Sequence, residues 1–422
     1  MVTVMWLSDF RLVLPDRVVP RGSLRLENGH IADVVDGVVA QADLDGHGLT
    51  LMPGIIDLHG DMLEREIEPR PNAVLPIDVA LFELDKRLVA TGVTTAFAAV
   101  SFHRTAKNPQ RSVESAQRVI HAVTQLRDTL LAEFRVHARF EVTNPAAAPV
   151  VTSLIDGDHI HLVSLTDHTP GQGQYRDIDL FVQTMTEWRK TRQGIEQTEA
   201  DMRRQVEEAQ ARPKRWDIVR DVVQAALRRG VPISSHDDDS PEKVEFVSGL
   251  GATISEFPVS LDSARAAKAR GMHVIMGAPN ALLGRSNTNN LAALDAIRDG
   301  VVDILAADYH PASLLQAAHR IVNDGLLPWH EAVRLITLNP AQASGLTDRG
   351  SLEPGKRADL VMVEMGDRPR VRATLRRGEP VYSDGTIVAA PFARREAGRR
   401  SPPYAPSERG ESLASVRAGS SS

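Results

Sequence analysis

The chain has 422 residues, of which 42% are hydrophobic and 25% charged, so it can bury a large globular core. Its formal charge of −6 at pH 7, with a pI near 6.2, excludes a global basic surface for nucleic acid. It contains no cysteine, which excludes disulfides, thiolate zinc sites and cysteine nucleophiles, so any metal must bind through His, Asp or Glu.

The N-terminal stretch gives no sign of targeting to a membrane. Residues 1–20 have no basic start and carry Asp9 within their apolar part, and no uninterrupted apolar run of about 18 residues occurs in the chain. We therefore expect a soluble cytoplasmic protein with no membrane partner. Composition leaves a homo-oligomer open.

Short segments that alternate apolar and polar residues, such as "LVLPDRVV" and "SLRLENGHIADVV", fill the first 50 residues. This alternation is typical of half-buried antiparallel strands. The same pattern returns near the end in "GSLEPGKRADLVMVE" and "VRATLRRGEPVYSDG". We predict that residues 1–51 and 348–385 pair into a small β-sandwich.

Between these ends, near-continuous apolar runs alternate with helical patterns, which favours βα units and a parallel sheet buried on both faces. The eight runs are "LMPGIIDLH", "GVTTAFAAVSF", "FRVHARFEV", "IHLVSLTDH", "GVPISSHD", "ATISEFPV", "MHVIMGAPN" and "VVDILAADYH". Eight such units predict an α/β fold with a (β/α)₈ TIM-like barrel over residues 52–347. The active site of such a barrel lies at the C-terminal ends of its strands.

Two segments do not fit the repeating unit. Residues 176–216 read as a long charged helical insertion, whose charges predict a solvated helix face; a lid over the active site is the alternative. Residues 386–422 are rich in Arg, Ser and Pro and offer little to bury, so we expect a disordered tail.

Imidazoles and carboxylates recur where the predicted barrel strands end. A lone strand-end histidine is usually structural, but six buried ionisable groups in one cavity require a cation to balance the carboxylates. We therefore predict a metal centre formed by His59, Asp61, Glu141, His168, His236 and Asp308. The other histidines considered, His137 among them, lie in turns, in helices or at strand starts and are not expected to bind metal.

Six ligands exceed what one ion comfortably takes, so we predict two divalent ions with Glu141 as a bridge. His59, Asp61 and Asp308 would share one ion with Glu141, and His168 and His236 the other. Zinc is the expected metal, and manganese or iron also suits these ligands. A water shared by the ions would have a pKa lowered toward neutrality, and Asp308 and Glu141 are the predicted catalytic residues.

The pattern His-x-Asp on the first barrel strand, a bridging acid, two later histidines and a last-strand aspartate resembles the amidohydrolase superfamily. "LHGDMLE", "SLTDHTPGQGQY", "SSHDD", "EFP", "GMHVIMGAPN" and "DYHPASLL" are similar to the triphosphate diphosphatases of the carbon-phosphorus lyase pathway of phosphonate degradation. The resemblance spans residues 1 to 385. It implies hydrolysis of α-D-ribose 1-methylphosphonate 5-triphosphate to the 5-phosphate and diphosphate.

Two positions depart from the pattern of these relatives at the predicted cavity mouth, Met62 after the first-strand aspartate and His310 in place of a second tyrosine. Neither is a predicted metal ligand. Both positions bear on which substituent the ribosyl substrate carries.

The charge of the predicted centre explains why other groups must hold a polyphosphate. Three carboxylates, two divalent ions and one hydroxide sum to +4 −3 −1 = 0, so the centre attracts no anion by net charge. We predict that the phosphorylated substrate is bound by the residues Arg70, Arg285, Ser286, Asn280 and His310, with Asn287 and Asn289 of "GRSNTNN" adding hydrogen bonds. For both arginines, an ordinary surface position is the alternative.

Three functions remain open on this basis. The leading hypothesis is attack on a phosphorus of a triphosphate, and the second is attack on carbon, by a cyclic amidase or a deaminase with the same metal centre. The third is a non-catalytic scaffold of the same fold, which the intact ligand set disfavours.

Overall fold

The computed structural model describes residues 4–70, 73–103, 111–193, 196–286 and 289–387. Its strands are β1 Val4–Val13, β2 Val18–Glu27, β3 His30–Asp36, β4 Leu44–Asp45, β5 Thr50–Pro53, β6 Ile55–Gly60, β7 Val93–Phe102, β8 Glu133–Glu141, β9 Leu162–Thr166, β10 Ile233–His236, β11 Ile254–Glu256, β12 His273–Gly277, β13 Ile304–Ala306, β14 Leu360–Glu364, β15 Arg370–Arg376 and β16 Glu379–Ser383. The predicted disordered tail falls on residues that, from 388 onward, lie outside the described part.

The α-helices fill the intervals between these strands. They are α1 Met62–Ile67, α2 Ile77–Ala90, α3 Val113–Leu126, α4 Ala148–Asp156, α5 Ile178–Trp188, α6 Glu199–Gln210, α7 Trp216–Arg228, α8 Pro241–Leu250, α9 Leu261–Ala269, α10 Ala278–Leu283, α11 Ala293–Arg298, α12 Ser313–Asn323, α13 Trp329–Arg334 and α14 Leu338–Ala343. In the described part of the chain, no helix is both long and apolar enough to cross a membrane.

Strands β6 to β13 form a parallel barrel in the order of the sequence, which confirms the predicted fold. The barrel closes between its first and last strands, where the backbone N–H of Asp308 donates to the carbonyl of His59 at 2.8 Å and that of Asp61 to the carbonyl of Asp308 at 2.9 Å. The buried carboxylate of Asp57 strengthens this seam by accepting from the backbone N–H of Ala307 at 2.9 Å. Two predicted metal ligands, Asp61 and Asp308, thus lie beside each other at the closure.

The terminal segments form a separate sheet with the order β16-β15-β14-β5-β1-β2-β3 and β4 beside β1. Strand β14 pairs antiparallel with β5, so the two ends of the chain meet as predicted. Fully buried side chains such as Leu7, Phe10 and Leu24 form a core distinct from that of the barrel.

One apolar run of the sequence serves both sheets. "LMPGIIDLH" contains the end of β5 and most of β6, and Gly54 separates them. The backbone N–H of Gly54 donates to the carbonyl of Asp359 at 2.7 Å. A Cβ atom at Gly54 would lie 2.2 Å from Oγ1 of the fully buried Thr94, so the crossing of the two sheets requires glycine here.

Helices α5 and α6 lie within the predicted insertion and share a small apolar cluster of Val182, Met202 and Val206. Their outer faces are mostly exposed, as expected for a solvated insertion. The far end of the insertion contacts the loop after β9, because Nζ of Lys214 lies 2.6 Å from Oδ2 of Asp167 and Nε2 of Gln210 donates to the carbonyl of Pro170 at 2.9 Å.

Candidate metal centre and active site

The C-terminal ends of the barrel strands surround a cavity of about 440 Å³. Among the residues predicted from the sequence, those that line it are His59, Asp61, His168, His236, Asp308, Asn280 and Ser286. A second cavity of about 190 Å³ lies beside it, and Glu141 lines that one together with His103 and His168. All six predicted metal ligands therefore lie in one region, at the edge of the barrel where a TIM-barrel site is expected.

Glu141, the last residue of β8, is directed at His168. Its Oε2 lies 2.7 Å from Nδ1 of His168, and its Oε1 accepts the backbone N–H of His168 at 3.1 Å. Burial raises the pKa of Glu141, but the hydrogen bonds and charge of His168, together with His103, outweigh burial and hold this pKa below its ordinary value. In the neutral ring, donation from Nδ1 to the Glu141 carboxylate leaves the lone pair on Nε2.

The first-strand ligands lie at the barrel seam. Oδ1 of Asp61 is buried without a hydrogen-bond partner, and Asp308 has a left-handed backbone with φ of 55°. Burial and, after it, the neighbouring Asp61 carboxylate together raise the pKa of Asp308 to about 7. The backbones of Asp61 and Asp308 are hydrogen-bonded to each other, and a cation would stabilise two carboxylates on such neighbouring residues.

His236 ends β10 beside Asp237, which adopts a left-handed backbone with φ of 54°. Nδ1 of His236 lies 3.1 Å from Oδ2 of Asp237, and Nε2 of His236 is buried without a hydrogen-bond partner. Burial lowers the pKa of His236, but the carboxylate of Asp237 outweighs burial and holds it above its ordinary value. The ring centroid of His236 is 5.7 Å from that of His168 and 5.5 Å from that of His59.

A second layer of donors, which the sequence analysis did not select, lies beneath the first. Nε2 of His137 and Nδ1 of His59 each lie 3.5 Å from a carboxylate oxygen of Glu256, and all three side chains are almost fully buried. Nδ1 of His137 lies 3.0 Å from the carbonyl oxygen of Leu58. His137 was expected to lie outside any metal site, yet it stands in the middle of β8 and faces the barrel interior.

These donor atoms fit divalent ions by chemistry and by position. Three groups within the described residues bring imidazole nitrogens and carboxylate oxygens within 4.8 Å of one another: His168, His236 and Asp237; His103, Glu141 and His168; and His59, His137 and Glu256. Several of these atoms are buried and unpartnered, which is costly for polar groups unless a ligand completes their bonding. His103, the first residue after β7, was missed although it too follows a barrel strand.

The arginines at the cavity are not those that the sequence singled out. Arg65, Arg111 and Arg139 line the cavity, whereas Arg70 and Arg285 are exposed and lie outside its lining.

His310 is also exposed and outside the lining, although its neighbour Tyr309 lines the cavity. Asn287 lies outside the described residues. The roles predicted for Arg70, Arg285 and His310 stay predictions.

The three arginines differ in their surroundings. Nε of Arg111 lies 2.6 Å from Oε2 of Glu64, and the guanidinium of Arg65 stands 5.9 Å from the ring centroid of Tyr309. Arg139 is buried on the inner face of β8, two residues before Glu141. The alternation His137, Arg139, Glu141 is visible in "FRVHARFEV" and could have placed all three on one face.

Similarity to known proteins identifies the family of the chain. The sequence profile of the amidohydrolase family matches residues 50–381. The chain is 38% identical over 373 residues to the alpha-D-ribose 1-methylphosphonate 5-triphosphate diphosphatase of Escherichia coli (strain K12), with 86% of this chain and 96% of that protein covered. A shorter stretch of 92 residues, 22% of this chain and 15% of that protein, is 40% identical to an adenine deaminase of Methanoregula boonei.

Solved structures show the same architecture. The dihydropyrimidinase from Brevibacillus agri has a TM-score of 0.63 at 12% identity, with 92% of this chain and 96% of that chain covered. N-acetyl-D-glucosamine-6-phosphate deacetylase from Mycobacterium smegmatis has a TM-score of 0.61 at 17% identity, with 90% and 100% covered. At these identities the likeness concerns the fold alone.

Proposed function

The chain belongs to the amidohydrolase family, and on that premise we propose that it hydrolyses α-D-ribose 1-methylphosphonate 5-triphosphate to the 5-phosphate and diphosphate in phosphonate degradation. The observation that supports this substrate class is the presence of Arg65, Arg111 and Arg139 in the same cavity as the imidazole and carboxylate cluster. Guanidinium groups bind the oxygens of a polyphosphate, whereas a neutral cyclic amide has no anionic group for them to bind. The E. coli relative, aligned over most of both chains, carries the name of this activity.

Two divalent ions would be held by His59, Asp61, Glu141, His168, His236 and Asp308, and the position of Asp237 makes it a further candidate ligand. When bound, such ions supply Lewis acidity, which lowers the pKa of a water molecule and neutralises phosphoryl oxygens. Zinc, manganese and iron all suit these donors.

The side chains of the protein orient and hold the reacting groups. Glu141 fixes the ring of His168 through the 2.7 Å contact at Nδ1, so that Nε2 is the ring nitrogen that would bind a metal ion. The ring of Phe257 makes T-shaped contacts with His59 and His236, with centroid distances of 5.0 and 5.3 Å. Oδ atoms of Asp308 would accept the proton of the attacking water, and Asn280 and Ser286 would bind the ribosyl or phosphoryl oxygens opposite the arginines.

Phosphorus NMR of the products tests the reaction. The enzyme, loaded in turn with zinc, manganese and iron, is expected to convert the ribosyl triphosphate to diphosphate and a monophosphate, while Asp308→Asn releases neither above background. Release of orthophosphate as the first product, or turnover of a cyclic amide or adenine with no turnover of any triphosphate, would overturn the proposal in favour of the carbon-attack alternative. Water labelled with oxygen-18 identifies which phosphorus of the α-β bridge is attacked.

A further inference from the structure

Arg139 is a buried guanidinium in the wall of the active-site cavity. Its residue is 8% exposed, and it projects from the inner face of β8 between His137 and Glu141. Burial lowers the pKa of Arg139, but the carboxylates of Asp61 and others outweigh burial and hold it above its ordinary value. The side chain is therefore a permanent cation inside the cavity.

Among the described residues, no carboxylate forms an ion pair with this cation. Nη2 of Arg139 lies 3.4 Å from Nε2 of His168, Nε has no hydrogen-bond partner, and no ion pair of the described residues includes Arg139. Its acidic neighbours Asp61, Glu64 and Glu256 act on it only at longer range.

Two other buried arginines provide an internal comparison. Arg349 and Arg357 are 5% and 4% exposed, and each has an Nη1 atom within 2.8 Å of Oε2 of Glu133. Arg349 and Arg357, which contact Glu133 outside the active-site cavity, are therefore neutralised within the protein. An unpaired buried charge costs several kcal/mol, so its retention at Arg139 calls for a partner that arrives from outside.

We propose that Arg139 binds a phosphoryl oxygen of the substrate at the bond that is broken, next to the imidazole of His168. Nε of Arg139 is buried, so the guanidinium offers its Nη atoms to one oxyanion, and this planar pair of donors matches the geometry of phosphate. Arg111 cannot replace it, because its Nε is already 2.6 Å from Glu64, and Arg65 stands at an exposed position. The identity of the phosphorylated substrate rests on the function proposed above, but the binding of an oxyanion by Arg139 does not.

Binding of inorganic diphosphate to the metal-loaded protein, measured by calorimetry, tests this role apart from turnover. Arg139→Met is expected to weaken diphosphate binding about 10- to 100-fold, as for loss of a charge-assisted pair. Arg139→Lys should recover part of the loss, since it keeps the charge but not the fork. Arg265→Met, which removes an exposed arginine paired with Asp299, is the matched control and should bind diphosphate as the wild type does.

Elemental analysis of each variant separates this role from a structural one. Unchanged metal content with weakened diphosphate binding supports the proposal. Wild-type diphosphate affinity in Arg139→Met overturns it, and so does loss of metal or of folding in both variants, which would make Arg139 a counter-ion for the carboxylates. If the wild type binds diphosphate through Arg139 but hydrolyses no triphosphate, the proposed function fails and this inference stands.

Discussion

Glu141 has two predicted roles, and a single substitution would remove both. It is a predicted metal ligand, and its carboxylate accepts both the backbone N–H and the ring of His168. We predict that Glu141→Ala lowers metal content and reduces turnover at least about 1,000-fold, because a ligand and the orientation of a second one are lost. Elemental analysis and steady-state kinetics measure both, with the exposed Glu208→Ala as control. Full metal content in an active Glu141→Ala protein would make this residue structural.

Arg65 and Arg285 offer a direct comparison between the structure and the sequence. Arg65 lines the cavity, whereas Arg285, the arginine predicted from the sequence, is exposed beside the lining residue Ser286. We predict that Arg65→Met raises KM for the triphosphate about tenfold and Arg285→Met less than about threefold, because only Arg65 lines the cavity that would hold the substrate. Initial-rate kinetics at constant metal concentration measure both. A larger effect at Arg285 than at Arg65 would make Arg285 the arginine that binds the triphosphate.

Individual site residues could be predicted from the sequence where a metal-binding residue type directly follows an apolar strand. A histidine or aspartate directly after an apolar strand is visible as such, which is why His59, Asp61 and Asp308 could be selected. Arg139 was missed although it shares a strand face with the selected Glu141, whereas Glu256 lies within a short strand whose register the sequence alone leaves open.

Three residues at strand ends of this barrel share a left-handed backbone conformation. Asp237, Phe257 and Asp308 have φ values of 54°, 52° and 55°, and each backbone N–H donates to a carbonyl of a neighbouring strand. The left-handed turn ends the strand while keeping one bond of the ladder, so the side chain points over the cavity. Such a conformation is costly for Phe257 in particular, and strain of this kind clusters at functional sites. It has no clear signature in the sequence.

The junction between barrel and terminal sheet is held by a buried ion network. Glu133, the first residue of β8, lies 2.8 Å from Arg349 and 2.7 Å from Arg357, and Nη2 of Arg357 lies 2.7 Å from Asp359. Burial raises the pKa of Glu133, but the two guanidinium groups outweigh burial and hold it well below its ordinary value of 4.5. This carboxylate therefore stabilises the folded state when it is ionised.

We predict that Glu133→Gln lowers the free energy of unfolding by about 2–4 kcal/mol at pH 7, because two buried guanidinium groups lose their shared partner. Since the folded-state pKa is lowered, the stabilisation is present above 4.5 and is lost as the pH falls below it. The difference between wild type and variant, measured by urea unfolding from pH 7 to pH 3.5, should shrink toward acid. Glu245→Gln, which breaks an exposed pair with Arg270, is the control. A difference independent of pH would contradict this assignment.

The architecture of the whole molecule was more accessible from the sequence than the details of its site. The barrel was predicted from eight apolar runs in order, and the terminal sheet from two flanking regions of alternating apolar and polar residues. Both predictions were possible because the hydrophobic pattern of a strand shows which of its faces are buried. The hydrophobic pattern did not reveal that "LMPGIIDLH" contains strand residues of both the terminal sheet and the barrel. That crossing depends on the contact of Gly54 with Thr94, which is 40 residues away in the sequence.

Metal binding should stabilise the molecule as a whole, because the proposed ligands come from strands distributed around the barrel and converge only when it is closed. His59 and Asp308 lie on opposite sides of the seam, so an ion held by both would brace the closure between β6 and β13. We predict close to two divalent ions per chain in an active preparation.

Chelation should lower the thermal midpoint, since each site filled at about 1,000 times its Kd adds about 4 kcal/mol to the free energy of unfolding. Elemental analysis and calorimetry with and without chelator measure both quantities, and readdition of zinc or manganese should restore the midpoint. Asp308→Asn, which removes the last-strand ligand, should show a smaller difference between loaded and chelated protein than Asp262→Asn, an exposed control on α9. One ion per chain in a fully active preparation would exclude the binuclear centre, and an unchanged midpoint after complete chelation would show that the barrel closes without its metal.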